Sequence, residues 1–282
     1  MYEILRKEIL APSVSRFDIA APAVARKAAA GQFVILRLHA AGERIPLTIA
    51  DYDRTAGTVT IVAQAVGKTT RELADMKAGD KLKTFTGPLG RPSEVENYGT
   101  VVCVGGGVGI APIYPIARAM QAAGNEVISI IGARNESLLF FREELAAVSS
   151  ELQIATDDGS AGRAGFVTDI LKDMLIAGKE INLVIAVGPV PMMRAVAETT
   201  RPFGVKTTVS LNPIMVDGTG MCGACRVTVG GEMKFACVDG PEFDAHAVDF
   251  AELTARQAMY KGMEREARER FEAEHGGECG CR

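Results

Sequence analysis

The feature that most constrains the fold is a strand–glycine–helix signal in the middle of the chain. Residues 100–112 read TVVCVGGGVGIAP, in which a buried-strand run is followed by four glycines and a proline at the start of a helical pattern. Glycine lacks a Cβ, so the backbone can turn sharply and approach a diphosphate, and proline suits the first helical turn. We predict a nucleotide-binding loop at Gly105, Gly106, Gly107 and Gly109; a tight strand–helix turn is the alternative.

The segment after this loop alternates between apolar strands and helical stretches. Strand-like runs at 126–134, 151–159 and 181–189 are separated by helical patterns such as GFVTDILKDMLIAG. Alternation with continuously apolar strands predicts a parallel, doubly wound sheet, in which ligands bind beyond the carboxyl ends of the strands. We therefore predict an α/β nucleotide-binding domain over residues 99–208.

Residues at the ends of these strands extend the predicted nucleotide site. Arg134 ends the stretch IGAR, Asp157 lies in TDDGS, and Gly188 and Pro189 lie in VGPVPMM. If Asp157 and Asp158 face the adenosine ribose, their carboxylates repel a 2′-phosphate and favour NAD over NADP. A turn or helix-cap role for the two aspartates is the alternative.

Short β-like segments dominate residues 1–98. Stretches such as GQFVILRLHA and GTVTIVAQAV are rich in β-branched residues and bounded by glycine, which predicts a small antiparallel barrel. In the stretch RIPLT, Arg44, Pro46 and Thr48 share one face of a strand. A guanidinium and a hydroxyl can therefore reach one ligand, and the planar fork of arginine suits a pyrophosphate.

A second phosphate signal follows in AVGKTTRELADM. Gly67, Thr69 and Thr70 stand at a predicted helix start, where backbone N–H groups and the helix dipole favour phosphate. The stretch is not a P-loop, because the first glycine of that motif would fall at Val62. A helix cap at Thr69 is the competing interpretation.

A glycine- and cysteine-rich stretch, DGTGMCGACR, begins at Asp217. Asp217, Cys222, Cys225 and Cys237 have the spacing of a plant-type [2Fe–2S] ligand set, with aspartate in place of the first cysteine. Glycines between them permit positive φ angles and let N–H groups face cluster sulfurs. Zinc and a vestigial site are the alternatives, since Cys-x2-Cys is also half of a zinc site. We predict a cluster lobe over residues 209–250.

Composition limits the class of protein. A formal net charge of −4 argues against a nucleic-acid partner. The N-terminal stretch lacks the apolar segment of a signal peptide, and no membrane span is predicted. Six cysteines without an export signal predict a reducing, cytoplasmic compartment. Residues 251–282 predict a charged helix and a tail, and the helix packs either on its own protein or on a partner subunit.

The order of RIPLT, GKTT, GPLG and GGGVGIAP resembles the ferredoxin–NADP reductase superfamily. The resemblance implies a β-barrel FAD domain plus an α/β doubly wound NAD domain, with a small [2Fe–2S] lobe. The residues that it assigns to FAD are Arg44, Pro46, Leu47, Thr48, Gly67, Thr69 and Thr70. It places NAD(H) at the glycine loop. VGPVPMM resembles the superfamily's C-G-P-x-x-M stretch, with Val187 in place of the cysteine.

Residues 1–250 resemble two groups of three-domain subunits. One is the electron-transfer subunit of FAD-containing dihydroorotate dehydrogenases, which normally has cysteine at the first ligand position. The other is the small subunit of NADH-dependent reduced ferredoxin:NADP oxidoreductase, an electron-bifurcating enzyme, with its sulfide dehydrogenase relatives. That group characteristically has aspartate, so Asp217 favours it. A carboxylate ligand is harder than a thiolate, and we expect it to raise the cluster potential.

The second resemblance implies an electron-transfer flavoprotein that moves electrons between NAD(H), FAD and a [2Fe–2S] cluster. The implied partner is a larger subunit with its own FAD and [4Fe–4S] clusters, which uses NADP(H) and ferredoxin, so ferredoxin is reached only indirectly. No catalytic proton-transfer residue is predicted in this chain. A dihydroorotate dehydrogenase subunit and a non-catalytic, zinc-stabilised or redox-sensing binding module stay open as alternatives. Cys103 is predicted to be a core residue, and Cys279 and Cys281 are given no role.

Overall fold

The structure is a computed structural model, and it describes residues 1–274. Its first part is a seven-stranded sheet. The strands are β1 (Tyr2–Ala11), β2 (Val14–Ala20), β3 (Phe33–Arg37), β4 (Ile45–Asp53), β5 (Thr58–Gln64), β6 (Lys81–Leu82) and β7 (Thr84–Leu89). All pairs are antiparallel, in the order β6-β1-β2-β5-β4-β3-β7. The two edge strands are separated only by Lys83, whose N–H donates to the carbonyls of Arg37 and Leu38 at 2.9 and 3.1 Å, so the sheet nearly closes into a barrel.

The alternation of side chains along β3 shows how the barrel is attached to the rest of the protein. Val34 and Leu36 belong to the core inside the barrel. Phe33 and Ile35 point outward and belong to a different apolar core, which they share with the remaining domains. Two helices complete this part, α1 (Pro22–Ala25) and α2 (Lys68–Asp75). One strand therefore serves two cores because successive side chains point to opposite faces.

The second part is a parallel sheet with helices on both faces. Its strands are β8 (Thr100–Gly106), β9 (Glu126–Ala133), β10 (Glu151–Thr156), β11 (Arg163–Ala164), β12 (Leu183–Val187) and β13 (Lys206–Ser210). Its helices are α3 (Ile110–Ala122), α4 (Arg142–Ala147), α5 (Val167–Ile176) and α6 (Val190–Thr200). The strand order is β11-β10-β9-β8-β12-β13. Strands β9 to β11 are added on one side of β8, and β12 and β13 on the other. This switch in strand order creates a crevice for ligands at the carboxyl ends of the strands. Helices α3 and α4 share an apolar core with the barrel, while α5 and α6 share one with the cluster lobe.

The cluster lobe contains a hairpin and a returning strand. The strands are β14 (Arg226–Val229), β15 (Glu232–Phe235) and β16 (Glu242–Asp244). Gly230 and Gly231 turn the hairpin with φ angles of 61° and 79°, and a two-residue turn of this kind needs positive φ at both positions. Strand β16 adds an antiparallel edge to the parallel sheet, with Phe243 opposite Val209. Part of the predicted 209–250 lobe is therefore an edge of the α/β sheet.

The C-terminal segment forms two helices, α7 (Phe250–Ala258) and α8 (Lys261–Glu274), where the sequence predicts one. They separate because they cover different surfaces. Leu253 of α7 is buried in the core of the α/β domain and cluster lobe. Helix α8 lies against α2, and Glu272 pairs with Arg71 at 2.9 Å. Both helices thus pack on their own protein, which is one of the two alternatives predicted from the sequence. His275, Cys279 and Cys281 lie outside the described residues.

Within residues 1–274, no helix combines the length and the apolar character needed to cross a membrane.

Candidate functional site

A cavity of about 620 Å³ lies at the carboxyl ends of β8, β9, β10 and β12, where the barrel meets the α/β domain. Predicted residues that line it are Gly106, Gly107, Arg134, Asp157 and Pro189. Most of its lining is apolar, and its few polar groups come from different elements, which is the usual character of a cofactor cavity. The structure therefore brings the predicted nucleotide residues of separate strands to one place.

The four positions of the loop require glycine for different structural reasons. Gly107 lines the cavity with a φ of 56°, a conformation that suits glycine. Gly109 does not line it; a Cβ there would lie 2.2 Å from the carbonyl oxygen of Val187, so this glycine lets the loop cross β12. Gly105 is less crowded, since its Cβ would lie 3.1 Å from the Cα of Ile110, but this neighbour is also backbone. Only part of the glycine motif is thus available to a ligand, and the rest serves packing.

Gly188 and Gly106 both lie close to the side chain of Met192. A Cβ on Gly188 would lie 2.7 Å from Met192 Cε, and one on Gly106 would lie 2.2 Å from Met192 Sδ. Met192 therefore lies across both glycines and forms part of the cavity wall. The stretch VGPVPMM contains this methionine, so a sequence signal for it existed.

Other lining residues were missed by sequence reasoning. Val14 and Gln64 come from the barrel, and Phe140 and Phe166 come from the α/β domain. The Phe166 side chain is 64% exposed at the start of α5, which is unusual for an aromatic residue and marks the rim of the cavity. Nothing in the sequence around Gln64 indicates this role, because it depends on how the barrel packs against the second domain.

The two aspartates of TDDGS have separate environments. Asp157 lines the cavity. Asp158 accepts hydrogen bonds from the hydroxyl and the N–H of Ser160 at 2.6 and 2.9 Å, and these bonds hold the pKa of its carboxyl below the ordinary value. The turn interpretation therefore describes Asp158, and of the two aspartates only Asp157 lines the cavity.

The register of β4 against β3 defines which face the predicted flavin residues occupy. Pro46 lies opposite Ile35 and Thr48 lies opposite Phe33, so both share the outer face of the barrel. Arg44 immediately precedes the strand, and its side chain is exposed. Leu47 lies opposite Val34 and packs on the core inside the barrel, which leaves its backbone for a ligand on the outer face. The predicted common strand face is confirmed for Pro46 and Thr48, but not for Arg44, which lies before the first residue of the strand.

The start of α2 has open space beside Gly67. A Cβ on Gly67 would have no atom within 4 Å. The Thr70 hydroxyl accepts from the N–H groups of Val66 and Gly67 at 3.1 and 3.0 Å, so the helix cap is made by Thr70 and not by Thr69. The Thr69 hydroxyl donates to Glu43. First-turn N–H groups have no partner within a helix, so this helix start fits a phosphate of FAD.

The four predicted cluster ligands make two kinds of contact, one to backbone N–H groups and one between sulfurs. In the first, the Asp217 carboxylate accepts from the N–H groups of Cys222 and Thr219, both at 2.8 Å. In the second, the Cys225 and Cys237 sulfurs are 3.1 Å apart, both buried and both free. No three potential metal ligands converge on one point within residues 1–274. Two buried thiols 3.1 Å apart, together with Cys222 and the Asp217 carboxylate in the same loop, supply the donor types and the spacing of a plant-type binuclear iron site.

The pKa shifts of Asp217 and Cys237 have opposite directions. Hydrogen bonds from backbone N–H groups, foremost that of Thr219, lower the pKa of Asp217, so its carboxylate is ionised. Burial and the contact with Cys225 raise the pKa of Cys237 to about 12, so iron binding there must displace a proton. The predicted positive φ angles are confirmed at Gly218, Gly220 and Gly223, with values of 77°, 81° and 67°.

The three candidate sites meet along the barrel wall. Strand β4 lies between β5 and β3 in the sheet. On the β5 side, Gln64 lines the nucleotide cavity. On the β3 side the cluster loop is in contact, because a Cβ on Gly218 would lie 2.7 Å from Ile35 Cδ1. The predicted flavin strand is therefore flanked by the nucleotide cavity on one side and by the cluster loop on the other.

Comparisons with known proteins match the α/β domain and the cluster lobe. Residues 103–198 match a family model described as an oxidoreductase NAD-binding domain. Residues 212–249 match one described as the iron–sulfur cluster binding domain of dihydroorotate dehydrogenase B. The chain is 52% identical to a Thermotoga maritima protein named dihydroorotate dehydrogenase B (NAD(+)), electron transfer subunit homolog, over 95% of each chain. The chain belongs to the dihydroorotate dehydrogenase B electron-transfer subunit family.

Within this family, similarity is not uniform. The Bacillus caldolyticus dihydroorotate dehydrogenase B electron transfer subunit is 38% identical over 77% of this chain and 86% of its own. A chain in a solved structure of NADH-dependent reduced ferredoxin-NADP oxidoreductase, described for flavin-based electron bifurcation, is 50% identical. It superposes with a TM-score of 0.92 over 96% of this chain and 98% of its own. The expected barrel, doubly wound domain and cluster lobe are confirmed.

One further cysteine is accounted for in this family member. Cys103 lies in β8, has no exposed surface, and burial raises the pKa of its thiol to about 12. Its predicted role as a core residue is confirmed.

Proposed function

We propose that this chain is the electron-transfer subunit of a bifurcating NADH-dependent reduced ferredoxin:NADP oxidoreductase, which moves electrons between NAD(H), FAD and a [2Fe–2S] cluster. The observation that carries the proposal is the position of the predicted flavin strand, β4, between the nucleotide cavity and the cluster loop. When bound, FAD exchanges a two-electron hydride with NAD(H) and passes electrons on singly. The chain's own residues hold the three groups in that order.

Each group is held by chemistry suited to it. Gly106 and Gly107 let a dinucleotide approach the backbone of the loop. Arg44 and the N-terminus of α2 supply positive charge and N–H groups for the FAD diphosphate. Asp217 and the three cysteines supply the donors for two irons. Asp157 faces the cavity with a carboxylate, which supports a preference for NAD(H) over NADP(H).

The exposed side of the cluster loop supports docking of a larger redox subunit. Cys222 is exposed, whereas Cys225 and Cys237 are buried, so electrons reach solvent or a partner through the Cys222 side. Met221 beside it is 88% exposed, and Val216 and Val238 add further exposed apolar surface. Exposed apolar surface of this kind marks contact sites between proteins. By resemblance, the larger subunit carries its own FAD and [4Fe–4S] clusters and uses NADP(H) and ferredoxin.

The names of the curated relatives favour a second candidate, the electron-transfer subunit of a dihydroorotate dehydrogenase. Asp217 separates the two, because the resemblance associates cysteine at this position with the dihydroorotate group. The two candidates also differ in the protein that should copurify. Affinity purification from the native cell, followed by mass spectrometry, should recover a large flavin and iron–sulfur subunit; recovery of a dihydroorotate dehydrogenase would reverse the choice.

Cofactor analysis tests the proposal directly. Anaerobically purified protein should contain FAD, with iron and inorganic sulfide in equal amounts, and NADH should bleach the flavin absorption. A colourless protein that contains zinc would reject the electron-transfer function and favour the binding-module alternative.

A further inference from the structure

The interface between the barrel and the α/β domain contains an ion pair inside a stack of aromatic rings. The Arg118 guanidinium donates to the Asp51 carboxylate at 2.6 Å. Asp51 is near the end of β4, three residues after Thr48, and Arg118 is in α3, the helix that follows the glycine loop. We propose that Arg118 and Asp51 are positioning residues that hold the nucleotide cavity in register with the flavin strand. The proposal rests on the proposed function.

An irregularity in β4 directs Asp51 toward α3. Ile49 pairs with Ile61 and Asp51 pairs with Thr60, which leaves Ala50 as an extra residue in the strand. A β-bulge of this kind bends a strand and re-aims the side chains that follow it. Ala50 is fully buried and shares an apolar core with residues of α3. The contact between the two domains therefore includes both the buried Ala50 of the bulge and the adjacent ion pair.

The guanidinium is held by rings from both domains. Arg118 lies over the ring of Tyr114 in its own helix, with 5.1 Å to the centroid, and over Tyr52 of the barrel, with 5.8 Å. Arg54 lies over the same Tyr52 ring at 5.0 Å. A planar guanidinium pairs with a carboxylate and stacks on aromatic faces at once, which lysine cannot do equally well. The stack fixes the orientation of the pair as well as its charge.

The same rings continue to the wall of the nucleotide cavity. Tyr114 packs edge-on against Phe141 at 5.7 Å, and Phe141 packs against Phe140 at 5.3 Å. Phe140 lines the cavity. Phe141 adopts a left-handed conformation with φ of 55°, which a residue with a Cβ keeps only where its surroundings hold it there. Packed contacts therefore lead without interruption from β4 to the cavity.

The test compares FAD-loaded protein of the native chain with Arg118→Gln, Asp51→Asn and Arg118→Lys. Lys179→Gln is the matched control, because Lys179 pairs with Glu126 at 3.1 Å inside the α/β domain and does not touch the barrel. One measurement is the single-turnover rate of flavin bleaching by NADH under anaerobic conditions. The other is a titration with NAD+ followed by the flavin absorption, which gives both the NAD+ affinity and the amplitude of the spectral change.

We expect the two neutral variants to slow flavin bleaching by about 10- to 100-fold, since small displacements of reacting groups have effects of this size. The NAD+ affinity should stay within about threefold, less than the tenfold that corresponds to 1.4 kcal/mol, while the spectral amplitude falls. Arg118→Lys should lose less of the bleaching rate and of the spectral amplitude than Arg118→Gln does, because lysine keeps the positive charge but not the planar stacking. Lys179→Gln should behave as the native chain.

Native rates and amplitudes in both neutral variants would overturn the proposal. So would loss of FAD or of the folded state in both of them, since the pair would then serve general stability and not position. A native chain that NADH fails to reduce would instead refute the proposed function itself. The two failures are therefore distinguishable.

Discussion

The same added methyl group should weaken NADH binding at one glycine of the nucleotide loop and lower stability at another. Gly106 has φ −122° and ψ 129°, and Gly109 has φ −64° and ψ −10°, so alanine is allowed by the backbone at both. In Gly106→Ala the new Cβ would lie 2.2 Å from Met192 Sδ, and in Gly109→Ala it would lie 2.2 Å from the Val187 carbonyl oxygen. The distances are equal, but one neighbour is flexible and the other is backbone.

The size of each effect follows from what must move. Ordinary contact begins at 3.4 Å, so each neighbour must retreat by about 1.2 Å. Met192 can do so by changing rotamer, but it lines the cavity, so we expect NADH binding to weaken about tenfold with little loss of stability. Val187 is paired with Gly105 across the parallel sheet. Moving its backbone should cost about 1–3 kcal/mol, as overpacking usually does.

The assay is a pair of measurements on each purified variant. Thermal unfolding should show a melting temperature lowered by about 2–12 °C for Gly109→Ala and almost unchanged for Gly106→Ala, at about 2–4 °C per kcal/mol. Titration with NADH should show weaker binding for Gly106→Ala. If the two variants lost stability and affinity in the same proportion, the division of the loop into a cavity-lining part and a packing part would be refuted.

Three further predictions concern single carboxylates. Asp217→Cys should lower the cluster potential in a redox titration, because thiolate favours the oxidised irons more than carboxylate does; an unchanged potential refutes this. Burial raises the pKa of Glu242 to about 7 from an ordinary 4.5, so folding favours its protonated form and stability falls as pH rises through this range. Glu242→Gln should flatten that part of the curve of melting temperature against pH, and parallel curves for both proteins would contradict it. Asp157→Ser should reduce the ratio of kcat/KM for NADH to that for NADPH by roughly tenfold; an unaltered ratio excludes Asp157 from nucleotide selection.

The domain order and much of the candidate site could be predicted because their signals are local. The glycine loop between strand and helix, the common face of Pro46 and Thr48, and the positive φ angles around the cysteines each depend on residues within a few positions of one another. The separation of Asp157 from Asp158 could not be predicted, since it depends on a hydrogen bond to Ser160 and on which side of the turn faces the cavity.

The C-terminal helices illustrate the limit of periodicity. Their apolar residues Leu253, Met259, Met263, Ala267 and Phe271 fall mostly at intervals of four, and the segment is predicted to form one helix. The structure nevertheless has two helices: α7 packs on the α/β side through Leu253, and α8 reaches Arg71 of the barrel part through Glu272. A repeating pattern gives the face of a helix that will be buried, but it carries no information about the surface that will bury it.

By itself, the sequence determined the three kinds of site and their order along the chain: a strand with arginine and threonine, a glycine loop, and an aspartate with three cysteines. Only the tertiary structure decided that β4 lies between the other two sites, that Gln64 enters the nucleotide cavity, and that Arg118 meets Asp51 across 67 positions. The physical reason is that backbone conformation and donor type are set by neighbouring residues. Contacts between domains depend instead on which complete surfaces fit together, and no short stretch contains that information.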